Sequence, residues 1–353
     1  VFMAALDTMV VTTALPVVRL DLHASLTDLE WTVNAFNLAL ACFLLTGAAL
    51  GDRFGRQRMY VVGLALFTAA SAAAALSPSI GALIAFRAVQ GAGAAIVMPL
   101  TLTLITEAFP PDRRSAAIGL WGGITGLAVA AGPVVGGAVV NGLSWHWIFW
   151  LNVPIGLVLI PLSAIRLRES FGPRPQIDML GVVLAGTGFL GLTWGLVRAN
   201  TVGWGTGEVI STLLAGVLLV GLFLGWERRA PSPMLPLNLF RGRGFATASG
   251  VGFFLFAALF GTLFLMMQFF EFALGYSPLQ AGIRILPWTA TPMVVAPIAG
   301  SLAIRYGNRP FMVLGLAMQA IGLGWVAAIA KPGIGYAELG VALVVAGVGT
   351  SMC

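Results

Sequence analysis

Charge is what this sequence has least of. Asp, Glu, Lys and Arg make up 9% of its 353 residues, against 59% apolar residues. Soluble domains carry about 25% charged and about 45–50% apolar residues, so a water-soluble fold of this size could not cover its surface. Cysteine is nearly missing too. Cys42 and Cys353 both lie inside apolar runs; with no CxxC or ligand spacing, disulfide-framework and metal readings fall away. HExxH, GxSxG and paired helical aspartates are absent, which removes an intramembrane hydrolase; no enzyme and no cofactor is expected. The net charge of +6 does not indicate nucleic acid, because the arginines sit in short clusters between apolar runs rather than on one face. No basic stretch precedes the apolar run already under way at Val1. A cleaved signal peptide is therefore not expected, and the natural N-terminus is expected upstream.

Apolar length is what the sequence has in quantity. Its 45 glycines and 19 prolines suit membrane helices, which tolerate both better than soluble helices do. Glycine has no fixed period, which excludes a collagen-like chain. A spanning helix needs about 20 mostly apolar residues. Cut at charge clusters and Pro/Gly breaks, the chain predicts runs over 1–20, 31–50, 59–77, 80–107, 115–141, 147–165, 178–198, 208–226, 246–271, 279–304, 311–330 and 336–353. The fold class is an all-α, polytopic membrane protein in contact with a lipid bilayer. Pro231, Pro233 and Pro236 argue against continuous helix in the connection at 227–244. The last run stops without a charged flank, so a cut inside a helix is expected.

Arginine placement orients these runs. With a cytoplasmic N-terminus, the inner connections hold Arg53, Arg56, Arg58, Arg113, Arg114, Arg166, Arg168, Arg174, Arg228, Arg229, Arg241, Arg243, Arg305 and Arg309. The outer ones hold Arg19, Arg198 and Lys331. The opposite orientation would invert this bias, so a multi-pass protein of the inner or plasma membrane with its N-terminus inside is expected.

The strongest local pattern follows the second run: AALGDRFGRQR at 48–58, where Gly51, Asp52, Arg53, Gly55 and Arg56 make a tight, charge-paired turn between two spans. On its own it would pass for an ordinary positive loop. A second copy, GSLAIRYGNR at 300–309, changes that, because internal repeats are a feature of transporter folds.

These residues resemble the signature loop, motif A, of the major facilitator superfamily, with Ala48 where Gly is usual and Gln57 where a basic residue is usual. LIAFRAVQGAGAA at 83–95, with Arg87, Gln90, Gly91 and Gly93, is similar to motif B of that family. GPVVGG at 132–137, with Gly132, Pro133, Gly136 and Gly137, resembles motif C of its exporters. WHWIFWLNVPIG at 145–156 and LDTMVVTTALP at 6–16 resemble signatures of the fourteen-span drug:proton antiporter branch, with Met9 and Thr12 in place of Thr and Asn. The resemblance implies a six-helix bundle at 1–165, an inserted helix pair at 166–245, and a partial C-terminal bundle of about four helices at 246–353. It also implies a monomer.

Asp7 is the sharpest single residue. A carboxylate within a span is expensive and gains from taking up a proton. It can hold a proton and a cationic substrate alternately, which is the logic of antiport. Arg87, also inside a run, is its expected partner in proton coupling, whether directly, through water or through a backbone carbonyl. Gly132 and Gly136, with Gly122 and Gly126 repeating the spacing, offer a small-residue face for close helix contact, and Pro133 can bend that helix. Asn34, Asn37, Gln268 and Trp288 are candidates to line a polar cavity. Trp145, Trp147 and Trp150 suit an interfacial aromatic belt. His23 and His146 are expected in solvated loops, and Arg284 and Glu271 at helix ends. The expected function is export of drugs or other small hydrophobic or cationic compounds in exchange for protons, by alternating access. Export of one dedicated metabolite or antibiotic stays open, as does a truncated fragment that does not transport.

Overall fold

The computed structural model describes residues 1–172, 178–331 and 333–352. Its helices are α1 (Phe2–Asp21), α2 (Leu26–Phe54), α3 (Arg56–Ala75), α4 (Ile80–Ala108), α5 (Pro111–Gly142), α6 (His146–Trp150) and α7 (Asn152–Arg166). They continue with α8 (Met179–Val202), α9 (Gly207–Glu227), α10 (Arg243–Gln268), α11 (Pro278–Thr289), α12 (Thr291–Tyr306), α13 (Asn308–Ile329) and α14 (Tyr336–Met352). Among the described residues, 11 helical stretches are long and apolar enough to cross a membrane, and Tyr336–Met352 is a shorter apolar helix. Every apolar run read from the sequence is helical.

The differences lie at ends and breaks. α2 starts before position 31 because Ser25 and Asp28 form a capping box: the Asp28 amide donates to Ser25 Oγ at 3.2 Å, and the Ser25 amide donates to Asp28 Oδ2 at 2.9 Å. Its far end runs through Asp52 and Arg53 to Phe54, so most of the expected loop is helix. Only Gly55 makes the turn. The run at 147–165 is divided at Leu151 into α6 and α7. The run at 279–304 is divided at Ala290 into α11 and α12, where Pro292 at the start of α12 has no N–H to continue the ladder. α10 passes into a π-helical turn at Phe269–Ala273.

The helices fall into two compact units, each with its own packing. One comprises Val1–Ala14, Ile105–Ser144 and Gly242–Cys353; the other Leu15–Leu104 and Trp145–Arg241. In the first unit α5 lies between the start of α1 and the α11–α12 pair. A Cβ on Gly132 would overlap the Met9 side chain, and one on Gly136 the Thr13 hydroxyl, whereas Gly119, Gly123 and Gly126 face backbone of α11 and α12. Gly122 faces open space, so the repeated spacing does not continue one packed face. The α5 helix is unbroken past Pro133, whose side chain lies outside the described residues. The core here holds Leu263, Met266, Phe270, Ile285, Trp288 and Leu343.

In the second unit glycines set α4 against α2 and α3. A Cβ on Gly91 would strike the Phe36 carbonyl, one on Gly93 the Phe67 amide, and one on Gly47 the Ala95 carbonyl. α8 and α9 form a hairpin sealed by Gly188, Gly191, Gly195 and Gly216, and α8 rests on α2, where Cys42 Sγ contacts the Gly186 carbonyl at 3.2 Å. Small residues allow such backbone approach in membranes, where no hydrophobic drive joins the helices. The outer faces of α9 and α10 are apolar, with Leu214, Val217, Leu218, Phe253 and Phe254 exposed, the surface that lipid would cover.

Backbone cannot yield as a flexible side chain can. Gly93→Leu is therefore expected to lower stability by about 1–3 kcal/mol, read as the thermal unfolding midpoint in detergent. Gly221→Ala, at a helical glycine with nothing around it, should leave the midpoint unchanged or raise it.

Candidate functional site

The chemistry of the second unit centres on Arg87, which is fully buried on α4 (0% exposed). An isolated guanidinium inside a span would be costly; here it is enclosed. Its Nε donates to the Thr32 carbonyl of α2 at 3.2 Å, and Nη1 donates to Gln90 Oε1 at 2.6 Å. The plane lies over the Phe36 ring at 4.4 Å, with the Phe149 ring at 6.0 Å, placing cation–π attraction in a dry setting. Gln90 Nε2 donates onward to Ser71 Oγ on α3 at 2.6 Å, and Asn152 Nδ2, at the start of α7, donates to the same oxygen at 3.2 Å. A backbone carbonyl, one of the partners considered for Arg87, is thus present at Thr32. Ser71, and the part Asn152 plays, were not read from the sequence; Ser71 sits in an alanine run and gives no signal of its own.

A second constellation surrounds Gly55, the one-residue turn between α2 and α3. Its φ of +104° suits glycine, and a Cβ there would also run into the Glu169 carboxylate. Asp52 and Arg56 pair as expected, with Arg56 Nη2 2.7 Å from Asp52 Oδ1 and Nε donating to it at 2.9 Å. Arg53 is exposed and lies over the Phe54 ring at 5.2 Å. The strap at 167–172 does the capping. Arg56 N donates to the Ser170 carbonyl at 2.9 Å, Gln57 N to Glu169 Oε1 at 3.0 Å, and Arg58 N to Glu169 Oε2 at 3.3 Å. The Gly172 amide in turn donates to the Asp52 carbonyl at 3.0 Å. The amides that open α3 are thereby satisfied from a segment over a hundred residues away. Gln57 donates through Nε2 to the Ala164 and Ser163 carbonyls at 2.6 and 3.2 Å, in the last turn of α7. Sequence reading missed Glu169; the signal was an acid following the Arg166 and Arg168 cluster.

The second copy reproduces the turn. Gly307, at φ +83°, alone separates α12 from α13; its amide donates to the Ala303 carbonyl at 2.8 Å, as Gly55 does to Gly51 at 3.0 Å. Arg305 lies over Tyr306 at 5.4 Å, as Arg53 does over Phe54. Among the described residues no strap adjoins it, and a Cβ on Gly307 meets nothing within 4 Å.

Asp7 is buried on α1 (2% exposed) in the first unit, among Met3, Leu6, Val10 and Val11, while Arg87 belongs to the second unit. Asn34 is partly buried and Asn37 and Gln268 are exposed. Trp288 is buried in the first unit's core and donates to Thr350 Oγ1 at 3.4 Å. Trp145 departs from the interfacial role expected of it: it is buried, stacked on His146 at 3.9 Å, and donates through Nε1 to Asp21 Oδ2 at 2.8 Å. A carboxylate at the end of α1 draws that indole inward. His146 accordingly sits in α6 rather than in a loop. Arg284 stacks on Tyr276 at 3.9 Å; the side chain of Glu271 and the segment containing Arg174 lie outside the described residues.

This arrangement of spanning helices is one seen in solved membrane transporters. It is similar to the proton:xylose symporter XylE bound to 6-bromo-6-deoxy-D-glucose (TM-score 0.65, 15% identity, 99% of this chain and 77% of that one). It is also similar to the peptide transporter POT in complex with sulfate (TM-score 0.61, 17% identity, 99% and 79%). The chain belongs to the Major Facilitator Superfamily, which its sequence matches over residues 1–353. Among its relatives is the tetracenomycin C resistance and export protein of Streptomyces glaucescens, 36% identical over 342 residues (96% of this chain, 64% of that protein). The multidrug resistance protein Stp of Mycobacterium tuberculosis (strain CDC 1551 / Oshkosh) is 34% identical over 351 residues (97% and 65%). The methylenomycin A resistance protein of Streptomyces coelicolor (strain ATCC BAA-471 / A3(2) / M145) is 33% identical over 354 residues (97% and 74%). The chain thus spans just under two thirds of the length of the first two.

The strap makes the two turns unequal. Glu169→Ala should cost on the order of 1 kcal/mol, the usual scale of a lost helix cap. Gly55→Ala should cost more than Gly307→Ala, because both strain φ but only the former meets a carboxylate. Thermal unfolding midpoints of the purified variants test both; equal losses at Gly55 and Gly307 would contradict the capping role.

Proposed function

We propose that the chain is the larger part of a secondary active transporter that exports drugs or other small hydrophobic or cationic compounds in exchange for protons. The observation that carries the reading is Asp7: a carboxylate 2% exposed in a spanning helix of a family member whose relatives are named for resistance and export. A buried carboxylate accepts a proton or a cation but does not hold both, so occupancy by one expels the other. Arg87 serves the same exchange from the second unit. Its guanidinium supplies a fixed positive charge whose field depends on where it is held. Gly132 and Gly136 keep α5 close against α1, the helix that carries Asp7, and Gly137 keeps it close to Leu279 of α11, so that movement of one helix is felt by the next. Asp52, Arg53, Gly55 and Arg56 shape the turn at the cytoplasmic end.

The organisation proposed is that of the fourteen-span branch: bundles at 1–165 and 246–353, with α8 and α9 as the inserted pair. Support comes from α8 and α9 packing first on each other, through facing glycines. A cytoplasmic N-terminus in the cell membrane follows from the arginine bias, and the working unit is taken as a monomer. Asn34, Asn37 and Gln268 are proposed to face substrate. A second reading, export of one antibiotic or metabolite, draws on the relatives named for tetracenomycin C and methylenomycin A. A panel of cationic dyes and aromatic antibiotics separates the two, since a dedicated exporter would move one chemical class alone.

Asp7→Asn keeps the side-chain shape and removes the ionisable group. Gradient-driven export by the full-length protein in liposomes is expected to fall to background, with protein level and unfolding midpoint unchanged. Undiminished export by that variant under a proton gradient would sink the coupling role.

A further inference from the structure

The geometry points to Ser71 and Asn152 as positioning residues for Arg87, acting through the amide of Gln90. This rests on the proton-coupling reading of Arg87. Direction in the network is set at its head. Arginine has only donors, so Gln90 must turn Oε1 toward it, which leaves Nε2 to face Ser71. The Ser71 oxygen must then accept, and it accepts a second time from Asn152. Arg87, Gln90 and Ser71 are each 0% exposed, Thr32 is 1% and Asn152 is 2%. Water is therefore not on hand to replace a lost partner, and a buried polar group that loses its acceptor carries its desolvation cost in full.

The contacts come from four helices. Thr32 belongs to α2, Arg87 and Gln90 to α4, Ser71 to α3 and Asn152 to α7. Asn152 reaches the network because the helix is interrupted at Leu151, which makes it the first residue of α7 and sets its amide toward Ser71. The same break lets Phe149, on α6, lie beside the guanidinium. Without the Ser71 hydroxyl the Gln90 amide loses the contact that fixes its far end, so the Oε1 to which Arg87 donates is no longer held in one place. The guanidinium would then shift from Gln90 toward the Thr32 carbonyl and the Phe36 ring. Ser71 and Asn152 touch neither proton nor substrate in this scheme; they decide where the charge of Arg87 stands.

The test uses the full-length protein in liposomes, with a transported cationic dye followed in two assays: export driven by a proton gradient, and dye exchange without one. Ser71→Ala is expected to lower gradient-driven turnover about tenfold, the scale of one buried hydrogen bond lost, with less than about a twofold change in exchange or in apparent KM. Asn152→Ala, on the other side of the same oxygen, is the independent second variant and should act in the same direction. Combining Ser71→Ala with Gln90→Leu should be no worse than Gln90→Leu alone, since the effect passes through that amide. Equal losses in both assays, or a double variant showing the product of the single effects, would overturn the inference. So would variants that respond to the gradient as the unsubstituted protein does. Export by the unsubstituted protein that ignores the gradient overturns the proton-coupling reading, and this inference with it.

Discussion

Arg87 imposes the constraint on which the second unit depends. In a bilayer no water stands ready to solvate a guanidinium, so its donors must be met from within the protein. The fold meets Nε and Nη1, and sets aromatic rings against the guanidinium plane, by bringing α2, α3, α4, α6 and α7 to one point. α2 gives a carbonyl and an aromatic face, α4 gives Gln90, and α3 and α7 hold Gln90 in place. Each helix is therefore tied to a common charge, and none can slide along α4 without uncovering part of it.

That convergence is possible only because the backbones approach closely. Gly91 and Gly93 follow Gln90 on α4 and admit the Phe36 carbonyl and the Phe67 backbone within reach. A larger residue at either position would hold α2 or α3 away from the polar network. Gly156 plays the corresponding part on α7, where a Cβ would overlap Thr68, one turn of α3 from Ser71. The glycines and the buried polar groups of this unit are one device. The former set the distances that the latter require.

Much of this was legible in the sequence, and the exceptions share a physical origin. The spans were visible because apolar runs of about 20 residues are a local property, and the one-glycine turns at Gly55 and Gly307 because they repeat. Ser25 extended α2 through a capping box that the search for apolar runs ignored. Trp145 was misassigned because an indole's place depends on its partner, and Asp21 lies 124 residues away. Ser71 and Glu169 went unseen for the same reason. A serine among alanines, or an acid after arginines, acquires its role only from what the fold sets beside it. Asp7 and Arg87 stood out because charge in an apolar run is conspicuous whatever surrounds it.

The two copies of the turn show what a repeat keeps and what it leaves free. Backbone and stacking are common to both: a positive-φ glycine, an amide returned four residues back, an arginine over the aromatic ring that follows it. The pairing differs. In the first copy Asp52 holds Arg56, and Glu169 and Gly172 close the adjoining helix ends. In the second, Ile304 and Asn308 stand at the positions of Asp52 and Arg56, so the charge pair is not encoded at all. A helix-to-helix turn therefore needs only its glycine, and the acid–base pair is an addition of the first copy. Because the strap is the continuation of α7, the helix that begins with Asn152, one helix reaches Ser71 of the Arg87 network at its start and the α2–α3 turn at its end. A displacement of α7 would be felt at both, so the buried charge and the turn of this unit are joined by covalent structure.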